Sequence, residues 1–108
     1  VMMNAPTFPG CVVEARPLGM FKMIDRGEPD YKILAVPSTD PNFEEYHDLG
    51  DLPKHFPKEV MHFFMVYKQL QGAEVKNEGW VGAEEAKEAV LKSRDLYWKK
   101  FPATGANI

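Results

Sequence analysis

The stretch MIDRGEPDYKILAVP, residues 23–37, decides the fold because it predicts a β-hairpin. An apolar run ends where the stretch begins, and a second apolar run at 31–36 has the composition of a strand. The polar segment between them, 26–29, is short enough to join two antiparallel strands directly.

Three charged side chains crowd the predicted turn. Asp25 ends the first strand and Asp30 begins the second, so the hairpin brings both carboxylates to one end of the sheet. Lys32 follows Asp30 by two residues, and the period of two in a strand places both on the same face. Two carboxylates suit a hard cation such as Mg²⁺, and a nearby ammonium suits a phosphate, which together favour phosphoryl transfer. Acidic hairpin turns are also common as solvated surface features, and the spacing leaves both interpretations open.

The segments beside the hairpin predict further short elements. CVVEARPLGMFKMI, residues 11–24, predicts one long strand or two, with a bulge or break marked by Pro17 and Gly19. After the hairpin, Asp40 is placed as a helix N-cap and Pro41 as the first helical residue, which predicts a single helical turn.

Two longer helices follow. The first lies within 51–72, with Pro57 near its start and Gly72 as its stop. Its apolar residues recur at helical spacing: Val60, Phe63, Phe64, Tyr67 and Leu70. Residues 74–81 form either a short strand around Val75 or a loop that ends at Trp80. A second helix is predicted from residue 83 to about residue 100, and residues 102–108 as a loose tail. The sequence thus predicts a mixture of α and β structure.

The first long helix carries a second candidate pair, Tyr67 and Lys68. Adjacent residues on a helix point roughly 100° apart, so Tyr67 can sit at the edge of the apolar stripe while Lys68 faces the rim. Both could donate hydrogen bonds to one phosphate. A tyrosine packed in the core and a solvated lysine explain the same residues.

The histidines and the cysteine point to no chemistry of their own. His47, His55 and His62 show no metal-type spacing with a carboxylate, and His62 is interpreted as an interface or packing residue. Cys11 has no adjacent histidine and is predicted to be a small buried hydrophobic residue in a strand.

Composition narrows the classes of protein. With 108 residues the chain forms a single domain, residues 1–108, and its net charge of -3 gives no support for nucleic-acid binding. A single cysteine excludes an intrachain disulfide and favours a reducing, cytoplasmic location. No apolar run approaches the roughly 20 residues that span a bilayer, so we expect no membrane insertion. The chain opens on VMM, inside an apolar run, which is typical of a segment cut from something longer.

Two patterns together point to a known family. D-x4-D-x-K at Asp25, Asp30 and Lys32 is followed by H-F-F-x-x-Y-K at residues 62–68, with DLGDLP between them and GW after them. The patterns and their connecting segments closely resemble the C-terminal part of the family I soluble inorganic pyrophosphatases, from residue 1 to about residue 98.

This resemblance implies a fold, an activity and a set of roles. The fold is α+β, an OB-like small β-barrel, here its C-terminal strands plus two helices. The activity is hydrolysis of inorganic pyrophosphate with several Mg²⁺ ions, in a homo-oligomer. Asp25, Asp30 and Lys32 are the expected catalytic residues. Asp25 and Asp30 match metal ligands, and Lys32, Tyr67 and Lys68 match residues that bind the substrate phosphates.

One departure from the family pattern leaves two functions open. The acidic run D-x-D-P-x-D, which in the family lies just before the segment matching residue 1, is absent from this sequence. We therefore expect residues 1–108 to be the C-terminal part of a pyrophosphatase domain, with part of the active site, and to be inactive alone. The alternative is a non-catalytic β-barrel interaction module that lacks the activating carboxylates.

Overall fold

Strand β1, Ala15–Asp25, is the centre of the molecule. The structure is a computed structural model that describes residues 1–102. All the other described strands pair antiparallel with β1: β2 is Glu28–Pro29, β3 is Lys32–Pro37 and β4 is Val75–Gly82. Because it pairs along most of its length, β1 carries the largest buried side chains of the fold.

The predicted hairpin is present, with small shifts at its ends. Its turn places Arg26 and Gly27 at φ values of 52° and 81°, the left-handed conformation that a two-residue hairpin turn requires. The second predicted strand, 31–36, is observed one residue later, as β3. The pairing of β1 with β3 shifts register between Pro17 and Gly19, which confirms the predicted bulge.

A close backbone approach explains the glycine at this bulge. A Cβ atom added to Gly19 would lie 2.8 Å from the backbone carbonyl oxygen of Val81 in β4 and 3.1 Å from Leu49 Cδ1. Because the nearest atom belongs to the backbone, it cannot move aside as a flexible side chain would. Glycine is therefore the residue that lets β4 pair closely with β1 at this point.

The alternative left open for residues 74–81 is settled in favour of a strand. β4 pairs with β1 from Asp25, opposite Val75, to Gly19, opposite Gly82. Helix α2, Ala83–Lys100, follows β4 without a connecting loop and has the predicted boundaries. In its first turn Ala83 and Ala86 are buried, whereas the large apolar residues farther along, Val90, Leu96 and Tyr97, are exposed. The helix therefore packs through its start.

Two 3₁₀ turns connect β3 to the long helix. The first, Pro41–Phe43, confirms the predicted helical turn, since the Asp40 carboxylate accepts the Asn42 N–H at 2.9 Å. The second, Leu49–Asp51, begins after Asp48, whose carboxylate Oδ1 accepts the N–H of Ala83 at 2.7 Å. Asp48 thus satisfies a free N–H at the start of α2 from a distant part of the chain.

Helix α1, His55–Leu70, has the expected position, and Gly72 follows it at φ 73°. Its packed face differs from the predicted one. Of the residues predicted to form the apolar face, Val60 and Phe64 are half-buried, whereas Phe63, Tyr67 and Leu70 are exposed. The half-buried residues at helical spacing are Phe56, Pro57, Val60, Met61, Phe64, Met65 and Lys68. The helix is turned so that Lys68, which has acidic partners beneath it, points inward.

A small hydrophobic core lies between the sheet and the turns. Its buried cluster consists of Leu18, Leu34, Val36, Phe43 and Leu52. The indole of Trp80 joins three elements, because it lies 5.5 Å from the Phe21 ring and its Nε1–H donates to the Pro57 carbonyl at 3.2 Å. This contact holds the start of α1 against β1 and β4.

The N-terminal segment differs from expectation. Residues 1–3 form no strand, although the N–H of Met2 donates to the Ala35 carbonyl at 2.8 Å. Cys11 is half-buried and precedes the strand instead of belonging to it, so the prediction for it was wrong. Residues 103–108 of the predicted loose tail lie outside the described residues. Within residues 1–102, no helix combines the length and the apolar character that crossing a bilayer requires.

Candidate active site

The hairpin and α1 meet at a cluster of four charged side chains. Asp25 is the last residue of β1, and Asp30 is held beside the same strand because its N–H donates to the Met23 carbonyl at 2.8 Å. Lys32 opens β3 and Lys68 lies in the last turn of α1. Their ion pairs put the two carboxylates at one end of the sheet, as the sequence predicts.

Lys32 holds the carboxylate of Asp30. Its Nζ lies 2.9 Å from Asp30 Oδ1 and 5.2 Å from the centre of the Phe64 ring on α1. The hydrogen bond from Lys32 is the main reason that the pKa of Asp30 lies below its usual value, and the charges of Lys32 and Lys68 act in the same direction. Asp30 is therefore an ionised carboxylate at neutral pH.

Lys68 bridges the two carboxylates. Its Nζ lies 2.8 Å from Asp25 Oδ2 and 3.5 Å from Asp30 Oδ2, and its side chain is only 19% exposed. The hydrogen bond to Asp25 raises the pKa of Lys68 above its usual value, so the ammonium keeps its proton. The interpretation of Lys68 as a solvated lysine on the rim is wrong, since it faces inward.

Tyr67 is not part of this cluster. Its side chain is 48% exposed and stacks on Phe63, with the ring centres 5.9 Å apart. A tyrosine packed in the core is therefore excluded. Because adjacent helical residues diverge by roughly 100°, Tyr67 and Lys68 point in different directions here.

The family model for inorganic pyrophosphatase matches residues 1–98, and this span contains the whole cluster. The chain belongs to the inorganic pyrophosphatase family. The resemblance inferred from the two sequence patterns is thereby confirmed.

Named relatives agree. The chain is 48% identical over 101 residues to the inorganic pyrophosphatase of Halalkalibacterium halodurans, covering 94% of this chain and 60% of that protein. Its identity to the Haloferax volcanii inorganic pyrophosphatase is 44% over 102 residues, covering 94% of this chain and 58% of the relative. The chain thus spans somewhat more than half the length of these relatives.

Solved structures show the same fold. The inorganic pyrophosphatase of Helicobacter pylori superposes with a TM-score of 0.81 at 32% identity, over 89% of this chain and 58% of that one. The Neisseria gonorrhoeae inorganic pyrophosphatase gives a TM-score of 0.78 at 39% identity, over 88% and 56%. The expected fold class, α+β of the OB-like pyrophosphatase type, is confirmed.

The carboxylate pair fits part of a cation site. Asp25 Oδ1 is buried and accepts no hydrogen bond, and the nearest cationic nitrogen recorded for it, Arg26 Nε, is 3.8 Å away. Free carboxylate oxygens of this kind are what Mg²⁺ prefers, with water and phosphate completing its shell. Among residues 1–102, however, no group of three or more His, Cys, Asp or Glu side chains is placed to hold an ion. This part of the pyrophosphatase fold offers two carboxylates to a cation.

A groove of about 550 Å³ adjoins the cluster at Lys32. Its other lining residues come mainly from α1, β3 and Trp80 and are mostly apolar, with Glu59 adding a negative charge. A pyrophosphate ion requires several cationic or hydrogen-bonding groups, so this groove suits it poorly. The charged cluster is therefore the better candidate for the phosphate chemistry.

Sequence reasoning missed two features of this site. Phe64 was assigned to the apolar stripe alone, but its ring also supports the Lys32 ammonium. The contact between Lys68 and Asp25 joins residues 43 positions apart, and no local pattern signals such a pair. Asp48 and Asp51, in the DLGD segment, serve the backbone instead of the site, since the Asp51 carboxylate accepts the N–H of Asp48 at 2.9 Å.

Proposed function

We propose that this protein takes part in the hydrolysis of inorganic pyrophosphate to two phosphates, as an Mg²⁺-dependent inorganic diphosphatase. The observation that carries the proposal is the cluster of two carboxylates and two ammoniums at one end of the sheet, in a chain of the inorganic pyrophosphatase family. The pairing of hard oxygen ligands with phosphate-binding ammoniums is what phosphoryl transfer requires.

The two carboxylates are proposed as metal ligands and catalytic residues. Asp25 and Asp30 would hold Mg²⁺ through oxygens at the end of the hairpin. When bound, Mg²⁺ supplies polarisation of the phosphoryl oxygens and makes a water molecule more acidic. The low pKa of Asp30 suits this role because a ligand must be deprotonated to bind a cation.

The basic and phenolic side chains are proposed to bind the substrate. Lys32 and Lys68 each carry a positive charge beside the carboxylates, and either ammonium can donate to a phosphate oxygen. Such contacts neutralise the charge that develops on the transferred and leaving groups. Tyr67 would donate from its exposed hydroxyl, which requires the substrate to reach the outer face of α1.

The domain, the assembly and the location of the protein are also part of the proposal. Residues 1–108 would act as a single unit within a larger pyrophosphatase domain, consistent with the share of the relatives that they cover. Exposed apolar side chains on α1 support a homo-oligomer. The single cysteine supports a cytoplasmic location.

Phosphate release by a chimeric protein tests the proposal. The part of the Halalkalibacterium halodurans pyrophosphatase that precedes the matched segment is joined ahead of Val1, and turnover is measured with and without Mg²⁺. We expect Mg²⁺-dependent hydrolysis by the chimera and at most trace activity from the 108-residue chain alone.

Asp30→Asn in the chimera should lower turnover by about a hundredfold or more, since an amide removes a full negative charge from the proposed metal pocket. Glu28→Gln is the matched control, because Glu28 is exposed in the same hairpin and enters none of the cluster's ion pairs. Full activity in Asp30→Asn, or hydrolysis without metal, would reject the proposed mechanism. No hydrolysis by the chimera, with or without Mg²⁺, would favour the non-catalytic interaction module.

A further inference from the structure

We propose that Lys68 is an internal counter-cation that competes with a divalent cation for Asp25 and Asp30 and thereby sets the cation affinity of this pair. The inference rests on the proposed function in one respect, namely that the carboxylate pair binds a cation. It adds a regulatory role to Lys68 beyond binding phosphate.

Lys68 contacts one oxygen of each carboxylate. Its Nζ is nearest to Oδ2 of both carboxylates, at 2.8 Å for Asp25 and 3.5 Å for Asp30. Lys32, in contrast, contacts Oδ1 of Asp30. Lys68 is therefore the ammonium that contacts both carboxylates, whereas neither ammonium contacts Asp25 Oδ1. A cation held by both carboxylates would compete with Lys68 for the Oδ2 oxygens and their negative charge.

Burial strengthens the competition between Lys68 and a cation. The side chains of Asp25 and Lys68 are only 17% and 19% exposed, so solvent screens their attraction weakly. A divalent cation held by the same oxygens would lie within a few ångströms of the ammonium and repel it. Binding the cation therefore requires Lys68 to leave, and its flexible four-carbon stem permits that movement.

The displaced ammonium then becomes available to an anion. While Lys68 is held by two carboxylates, it donates a hydrogen bond to Asp25 at 2.8 Å and its ammonium lies 3.5 Å from Asp30 Oδ2. Once released, the ammonium would have its donors free for an anion such as phosphate. Cation binding and the exposure of an anion-binding group are thus one event.

Cation binding to the 108-residue chain tests the proposal without any turnover. Free Mn²⁺, a paramagnetic ion with the same preference for oxygen ligands as Mg²⁺, is counted by electron paramagnetic resonance during a titration. Lys68→Met removes the charge and keeps a similar length. We expect it to lower the Mn²⁺ dissociation constant about tenfold, which corresponds to about 1.4 kcal/mol.

Lys22→Met is the matched control. It also removes one positive charge from the chain, but Lys22 pairs with Glu85 at 3.6 Å instead of contacting Asp25 or Asp30. A general change in net charge would affect both variants equally. We expect the Mn²⁺ affinity of Lys22→Met to match that of the unmodified chain.

Two further measurements keep the outcome interpretable. Far-ultraviolet circular dichroism checks that Lys68→Met folds, and Lys68→Gln, whose amide can still donate to Asp25, provides a second neutral variant. Equal or weaker Mn²⁺ binding in the folded variants, or no binding in any of the proteins, overturns the proposal. Turnover by the chimera with unchanged Mn²⁺ affinity rejects this inference alone, whereas tighter Mn²⁺ binding without turnover rejects the hydrolytic function alone.

Discussion

At the scale of the residue, Asp30 and Lys68 stabilise the fold through the charges that they keep. The pKa of Asp30 lies below its ordinary value of 3.8, chiefly because Lys32 donates a hydrogen bond to it. A carboxylate whose pKa is lower in the folded state stabilises that state above its unfolded pKa. The contribution is lost as the pH falls through the folded pKa.

This dependence of stability on pH can be tested with a substitution at Asp30. The free energy of unfolding of Asp30→Asn should be lower than that of the unmodified chain at pH 6, and the difference should shrink as the pH falls below about 4. Urea unfolding at pH 6 and at pH 3, with a chelator present, measures the difference. A difference that stays constant at pH 3 would mean that the carboxyl group acts through packing and not through its charge.

The contribution of Lys68 to stability depends on pH in the opposite direction. The pKa of Lys68 is raised above its ordinary value of 10.5, mainly by the hydrogen bond to Asp25. Its contribution is complete below the unfolded pKa and is lost as the pH rises through the folded pKa. The ion pairs between α1 and the hairpin should therefore be intact throughout the physiological range of pH.

At the scale of the element, α2 depends on a cap supplied from elsewhere. Asp48 Oδ1 accepts the N–H of Ala83 at 2.7 Å, across 35 residues of sequence. Asp48→Ala removes this acceptor and should lower the free energy of unfolding by about 1 kcal/mol. Thermal unfolding followed by circular dichroism gives the measurement.

Asp95→Ala is a suitable control for the cap, because Asp95 is an exposed aspartate within the same helix and contacts only its neighbour Arg94 among the recorded ion pairs. A surface substitution of this kind usually changes stability by less than about 0.5 kcal/mol. Equal losses in the two variants would show that the Asp48 contact adds nothing to α2.

The elements also show how far the sequence could be read. The end of α1 and the bulge in β1 were predictable because Gly72, Pro17 and Gly19 act on their own backbone. The structure of residues 74–81 was not predictable. A segment that contains Asn77 and Gly79 has little β-strand propensity of its own, and it forms a strand by pairing with β1.

The candidate site was also predictable only in part, because some of its contacts are local in sequence and others are not. Asp25, Asp30 and Lys32 share one hairpin, so their proximity follows from local geometry. The inward direction of Lys68 depends on how α1 is turned against the sheet, which the apolar stripe alone predicted wrongly. The inward face includes Lys68 together with its contact to Asp25, 43 residues away, and hydrophobic periodicity does not contain this information.

At the scale of the whole molecule, the outer face of α1 exposes large apolar side chains. Phe63 is 60% exposed and stacks on Tyr67, and Val66 and Leu70 are exposed on the same helix. Contiguous apolar surface of this kind favours association. We expect the average mass in sedimentation equilibrium to rise with protein concentration.

Phe63→Ser should reduce this association by removing the aromatic stack. Val12→Ser is the control, because Val12 is 95% exposed but lies in the N-terminal segment, outside α1. A chain that remains monomeric at all concentrations, or an equal effect of the two substitutions, would contradict an interface on α1.

The central position of β1 has a consequence for the order in which the molecule folds. Its partner β3 lies just beyond a short turn, whereas β4 is separated from β1 by a long stretch of chain that includes α1. The entropy lost on closing a chain segment grows with its length, so the hairpin should form in the transition state and the β4 ladder later. Kinetic φ-values near one at Ile33 and near zero at Val81 are the expected signature. Lys68 lies on α1, whereas both aspartates belong to the early hairpin, so we expect the charged cluster to be completed only after the hairpin has formed.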